Sequence, residues 1–158
     1  MSANPQPVRL EEGQSAPDFT LADQDGQLVT LEQLRGKHVL VYFYPKDDTP
    51  GCTKEACSLR DTWQDFVNTD TVILGISKDD AASHRRFIEK YQLPFTLLSD
   101  PQGEVMTRYG AWGEKNMYGK KTMGVIRSSF LIDPQGRIKK IWRRVNTETH
   151  GSDVLAAL

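Results

Sequence analysis

Hydrophobic and polar positions change period several times along the chain, and each change predicts an element. From Phe19 to Leu31 they alternate around Asp25-Gly26, a hairpin signal. Val39-Leu40-Val41-Tyr42-Phe43-Tyr44 is a continuous β-rich run, as expected of a strand buried on both faces, and Pro45 stops it. Helical spacing follows from about Thr53 to Asn68, and Thr71 to Ser77 reads as a second buried strand. Ala81 to Tyr91 reads as a helix ended before Pro94, Phe95 to Leu98 as a short strand, and Asp100 to Tyr109 as a third helix. Ser128 to Asp133 and Arg137 to Val145 are predicted strands around Pro134-Gln135-Gly136, and Asp153 to Leu158 a short last helix. Strand–helix–strand alternation with hairpins at both ends predicts an α/β fold, a mixed sheet with flanking helices. Ligands on such sheets gather at the carboxyl ends of the strands, and Tyr44-Pro45 marks one such end.

Composition narrows the class. The chain has 158 residues, 38% hydrophobic and 26% charged, which fits one domain with its own core over 1–158. Residues 1–14 are polar with two prolines and read as a tail, flexible over 1–10. The N-terminus lacks the basic and apolar regions of a secretory signal, and no apolar run is long enough to span a membrane. A cytoplasmic protein is the expectation. Net charge is −1, with acidic groups in excess over residues 1–80 and basic groups over 81–158. The densest basic stretch, Arg137 to Arg144, reads as a strand with one solvated face and not as a nucleic-acid patch. Gly113 to Thr122 departs from the P-loop spacing and follows a helix, so it reads as a loop across the mouth of the site.

The chain's two cysteines, Cys52 and Cys57, follow the predicted strand end directly. Thr49-Pro50-Gly51 is turn chemistry, so Cys52 falls in the first turn of a helix, where orphan N–H groups and the dipole favour a thiolate. Cys52, Ala56, Leu59, Trp63 and Phe66 form an inward stripe, whereas Cys57 faces the polar flank. In an intact helix, Cα atoms five residues apart are about 8.7 Å from each other. A disulfide needs about 7 Å or less, so these two would bond only if the helix start unwound. Two unreactive thiols on an amphipathic helix is the competing reading. A zinc site fits poorly, because His38, His84 and His150 show no ligand spacing. Four residues intervene where a redox C-x-x-C has two.

Pro45-x-x-x-Thr49-x-x-Cys52 matches the P-x-x-x-[TS]-x-x-C signature of peroxiredoxins. The flanks from Val41 to Asp61, with Leu74 to Ser77, Phe95 to Asp100, Trp112 to Lys115 and Arg127 to Asp133, resemble the bacterioferritin comigratory protein (BCP/PrxQ) subfamily over roughly residues 10–155. The resemblance implies a thioredoxin-like fold with an N-terminal β-hairpin extension. It implies a thiol-dependent peroxidase reducing hydrogen peroxide and organic hydroperoxides, regenerated by thioredoxin or a similar dithiol, and a monomer. Residue by residue it makes Cys52 the peroxidatic and Cys57 the resolving cysteine, joined in an intramolecular disulfide through a Cys52 sulfenic acid. Thr49 and Arg127 become contacts to peroxide and thiolate, Gly51 a backbone donor, and Pro45 a shield. No metal or organic cofactor is implied, and neither nucleic acid nor membrane is an expected partner. Glu55, one turn past Cys52, reads as a first-turn acid favoured by the dipole, with a pair to Arg127 as the alternative. A peroxide-sensing regulator that passes its disulfide to a partner protein would show the same residues.

Overall fold

The computed structural model describes residues 9–158. Its main sheet has seven strands: β1 (Thr20–Asp23), β2 (Leu28–Thr30), β3 (His38–Phe43), β4 (Thr71–Ser77), β5 (Thr96–Ser99), β8 (Ser128–Ile132) and β9 (Ile138–Trp142). They lie in the order β2-β1-β5-β4-β3-β8-β9. β3, β4 and β5 are parallel, and β1 and β8 join them antiparallel. A two-stranded hairpin, β6 (Trp112–Met117) with β7 (Lys120–Val125), stands apart from this sheet.

The unbroken apolar run of β3 splits between two cores. Val39, Val41 and Phe43 join Leu74, Ile76 and Phe130 on one face, with Val105 and Met106 of α4 (Glu104–Arg108). Leu40, Tyr42 and the following Tyr44 pack on the other face. They meet α1 (Pro50–Asp61), α2 (Trp63–Asn68), α3 (Ala81–Tyr91) and α5 (His150–Ala157) through Ala56, Leu59, Phe66, Phe87 and Val154. Alternation along a strand thus places helices on both faces, as the sequence predicts.

Several expectations are corrected. The helix predicted from Thr53 to Asn68 is two helices that meet at Thr62, whose hydroxyl bonds back to the Ser58 carbonyl at 2.9 Å and interrupts the ladder. Trp63, placed on the inward stripe, is consequently only partly buried and packs against Phe95. The segment from Gly113 to Thr122 is a hairpin, not a loop, turning at Tyr118 and Gly119, both with positive φ. The third helix begins at Glu104, because the Asp100 carboxylate stays outside and accepts from Met106 N at 2.9 Å. The last helix begins three residues earlier than predicted, at His150.

Of the tail predicted over residues 1–14, residues 1–8 lie outside the described residues. Its remainder is stitched to the β9 edge: Gly13 N donates to Ile138 O at 2.7 Å, Ile138 N to Gln14 O at 2.8 Å, and Arg143 to Leu10 O at 2.8 Å. That contact covers strand-edge groups that would otherwise be open to pairing.

Candidate active site

Strand register assembles the site. Phe43, the last residue of β3, pairs with Ser128, the first of antiparallel β8. The loop after Phe43 and the residue before Ser128 therefore emerge at the same end of the sheet. One carries Pro45, Thr49 and the α1 start, and the other is Arg127.

Cys52 sits in the first turn of α1, with Pro50 opening the helix and Thr49 at the N-cap. Its side chain is buried, 2% exposed, and Arg127 Nη2 lies 3.2 Å from its sulfur. Arg127 Nη1 donates to Glu55 Oε1 at 2.6 Å. The guanidinium fork thus spans thiol and carboxylate and lies across Gly51, where an added Cβ would stand 3.1 Å from Nη2. Burial opposes the charge on Arg127, but the Glu55 and Cys52 charges and their hydrogen bonds outweigh it and raise its pKa further.

Glu55 is not a dipole-favoured surface acid. It is 0% exposed, and the pair with Arg127 is the reading the structure selects. Burial pushes its carboxyl up from 4.5 to about 7, against the pull of Arg127. Oε1 is spent on Arg127, while Oε2 finds no hydrogen-bond partner among the described residues and lies 3.9 Å from His150 Nε2. His150 is itself buried beneath α1, its Nε2 at 2.8 Å from Ser129 Oγ. Burial lowers it from 6.5 to about 4, Asp153 opposing and Arg127 assisting, so at neutral pH the ring is neutral.

The other predicted residues lie where the elements put them. Thr49 is half-buried, and its hydroxyl makes no bond to the helix it caps but donates to Lys46 O at 2.8 Å. Pro45 is half-buried in the bend after β3. Cys57 lies in the same unbroken helix as Cys52, half-exposed, and both thiols are free. Burial pushes the Cys57 thiol up, Arg60 opposing and Asp61 adding.

Sequence reasoning missed the burial of Glu55, although a signal was present. Glu55 stands three residues after Cys52 on the stripe that continues at Ala56 and Leu59, and the helix buries all four. It also missed His150 and Ser129, and a buried network beside the loop. In that network Asp47, Asp79 and His84 bring one metal-competent atom each within 4.8 Å of one another, the one such cluster among the described residues. Those atoms are already taken up by hydrogen bonds from Ser77 and Ser83 and between Asp47 and His84, so the donor set is spent. Among the described residues no helix is long and apolar enough to cross a membrane.

Comparison with known proteins agrees with this geometry. Residues 13–141 match the AhpC/TSA family. The chain is 44% identical to peroxiredoxin Bcp of Bacillus subtilis over 151 residues, 96% of each chain. It is 47% identical to peroxiredoxin Bcp of Escherichia coli over 146 residues, 92% of this chain and 94% of the relative. Among solved structures, the bacterioferritin comigratory protein of Xanthomonas campestris, described for its alkyl peroxide reduction activity, superposes with a TM-score of 0.83 at 37% identity over 88% of both chains. PrxQ of Xylella fastidiosa gives a TM-score of 0.87 at 30% identity, covering 93% of this chain and 94% of that one. The thioredoxin-like sheet, the thiol under an arginine at a helix start, and these relatives together establish that the chain belongs to the AhpC/TSA family, as a peroxidase of the Bcp/PrxQ peroxiredoxin type.

Proposed function

We propose that this peroxidase reduces hydrogen peroxide and organic hydroperoxides at Cys52 and closes its cycle through Cys57. The Cys52 thiolate attacks one peroxide oxygen, forming an S–O bond as the O–O bond breaks. The other oxygen leaves as alkoxide or hydroxide and takes a proton, giving an alcohol or water. Negative charge spreads along S···O···O in the transition state, and donors fixed at those atoms lower the barrier. Arg127 supplies one N–H, and the Gly51 and Cys52 backbone N–H groups at the helix start supply others. Thr49 has its own proton committed to Lys46 O, so toward a peroxide its oxygen presents a lone pair and accepts the substrate O–H. Pro45 brings no N–H and limits water.

The sulfenic acid on Cys52 then condenses with the Cys57 thiol, releasing water and forming the disulfide. Both cysteines lie inside α1, so this step needs the first turns to unwind. A dithiol of thioredoxin type reduces the disulfide by exchange and leaves with its own. The whole cycle fits one domain, acting as a monomer in the cytoplasm without metal or organic cofactor.

The observation that carries this reading is the 3.2 Å approach of Arg127 to the buried Cys52 sulfur at a helix N-terminus. The test is NADPH consumption with thioredoxin, thioredoxin reductase and hydrogen peroxide. Cys52→Ser is expected to abolish turnover. Cys57→Ser is expected to react once, leaving a sulfenic acid that dimedone traps. Unchanged turnover in Cys52→Ser overturns the assignment.

A further inference from the structure

The loop between β3 and α1 carries Thr49 and leads into Cys52, and its buried charge is Asp47. That carboxylate plays no part in the chemistry above, yet it is 7% exposed and held on both oxygens. The Tyr44 hydroxyl donates to Oδ1. Ser83 Oγ donates to Oδ2 at 2.8 Å, and His84 Nδ1 lies 2.7 Å from the same oxygen. Asp79 Oδ2 accepts from the Asp47 backbone N–H at 2.9 Å. The next residue, Asp48, has φ 59° and is tied to Lys90 and Tyr91, so α3 fastens the loop at two successive positions.

The far side of the His84 ring decides its charge. Nε2 lies 3.0 Å from the Leu98 carbonyl oxygen, which only accepts, so Nε2 carries a proton. With that proton alone, the Nδ1 lone pair would face an Asp47 oxygen at 2.7 Å with no hydrogen between them. Tyr44 and Ser83 already donate to the two oxygens of Asp47, the pattern of an ionised carboxylate. A second proton on Nδ1 completes that contact. The side chains are 0% and 3% exposed, so truncating one partner strands the other.

We propose that His84 is a positioning residue of the peroxide site: as a buried imidazolium it holds Asp47, and through Asp47 the loop that presents Thr49 to the substrate. The proposal rests on Cys52 and Thr49 acting as described above. His84 reaches the reacting atoms only through the loop, so its loss should impair the reaction that uses Thr49 and spare one that needs the thiolate alone.

Two measurements test this. Nitrogen-15 NMR of the reduced wild-type protein at pH 7 reads the ring directly. Two protonated nitrogens are expected, and one bare nitrogen overturns the charge assignment. In rapid mixing, His84→Leu is expected to slow Cys52 sulfenic acid formation by hydrogen peroxide about 10- to 100-fold, while alkylation of Cys52 by iodoacetamide stays within about two-fold. Asp47→Asn offers an amide N–H to a neutral ring, so it should show a singly protonated His84 and a smaller loss with peroxide than His84→Leu. An unchanged peroxide rate in His84→Leu, or an equal loss with both reagents, overturns the positioning role. If His84→Leu does not fold, the two reagents are compared on Asp47→Asn, where an equal loss with both is again the refuting result. Peroxide consumption that persists in Cys52→Ser would instead refute the parent reading, whatever His84 does.

Discussion

Replacing Glu55 with Gln should change how stability depends on pH. Glu55 is 0% exposed and its carboxyl rises from 4.5 to about 7. A group raised on folding binds its proton more tightly in the native state, so between those values the native state holds more protons than the unfolded chain. Stability from this group is therefore fully present below pH 4.5 and is lost as pH rises through 7, a loss of about 3 kcal/mol. His150 acts in the opposite sense. Its value falls from 6.5 to about 4, so its contribution is present above 6.5 and lost as pH falls through 4. The two groups lie 3.9 Å apart and largely offset each other in the wild type. Gln keeps an oxygen for Arg127 and removes the titration. Urea denaturation of reduced wild type and Glu55→Gln across pH 4 to 8 isolates the effect in their difference. The variant should gain about 3 kcal/mol relative to wild type as pH rises from 4.5 to 7. A difference that stays flat over that range refutes the reasoning about a desolvated carboxyl.

Three further outcomes follow from the site. Arg127→Ala should slow the peroxide step about 10²- to 10³-fold in single-turnover measurements, the scale for removing one transition-state donor; an unchanged rate would mean another cation serves. Gly51→Ala puts a Cβ 3.1 Å from Arg127 Nη2, so it should lower the peroxide rate while the urea midpoint moves little; an unchanged rate would show that the guanidinium has room to give. Oxidation of the wild type with one equivalent of peroxide should reduce helical signal in far-ultraviolet circular dichroism, because Cys52 and Cys57 share α1; identical dithiol and disulfide spectra contradict the unwinding.

The fold was legible in the sequence wherever burial is two-sided or periodic. The run Val39–Tyr44 and the stripe Cys52, Ala56, Leu59 follow from spacing alone, and they locate the thiol. Features set by local hydrogen bonds were not legible. The break at Thr62 depends on a hydroxyl returning to Ser58 O, and the β6–β7 hairpin pairs only with itself and carries little apolar alternation. The motif residues came from resemblance, while the partners of Glu55 and Asp47 lie far along the chain. Arg127 is 72 residues from Glu55 and His84 is 37 from Asp47, separations that no local pattern encodes.

The pairing of Phe43 with Ser128 gives the reaction centre the tolerance of the hydrophobic core. Side chains alternate faces along a strand, so a slip of one residue between β3 and β8 would shift Arg127 by about 3.3 Å and turn it to the opposite side of the sheet. What prevents that slip is the fit of Val41 against Phe130 and of Leu40 against Leu131 in the middle of the sheet. The sheet therefore works as a gauge block, and the apolar residues that never meet a peroxide set the distance at which the arginine meets the sulfur.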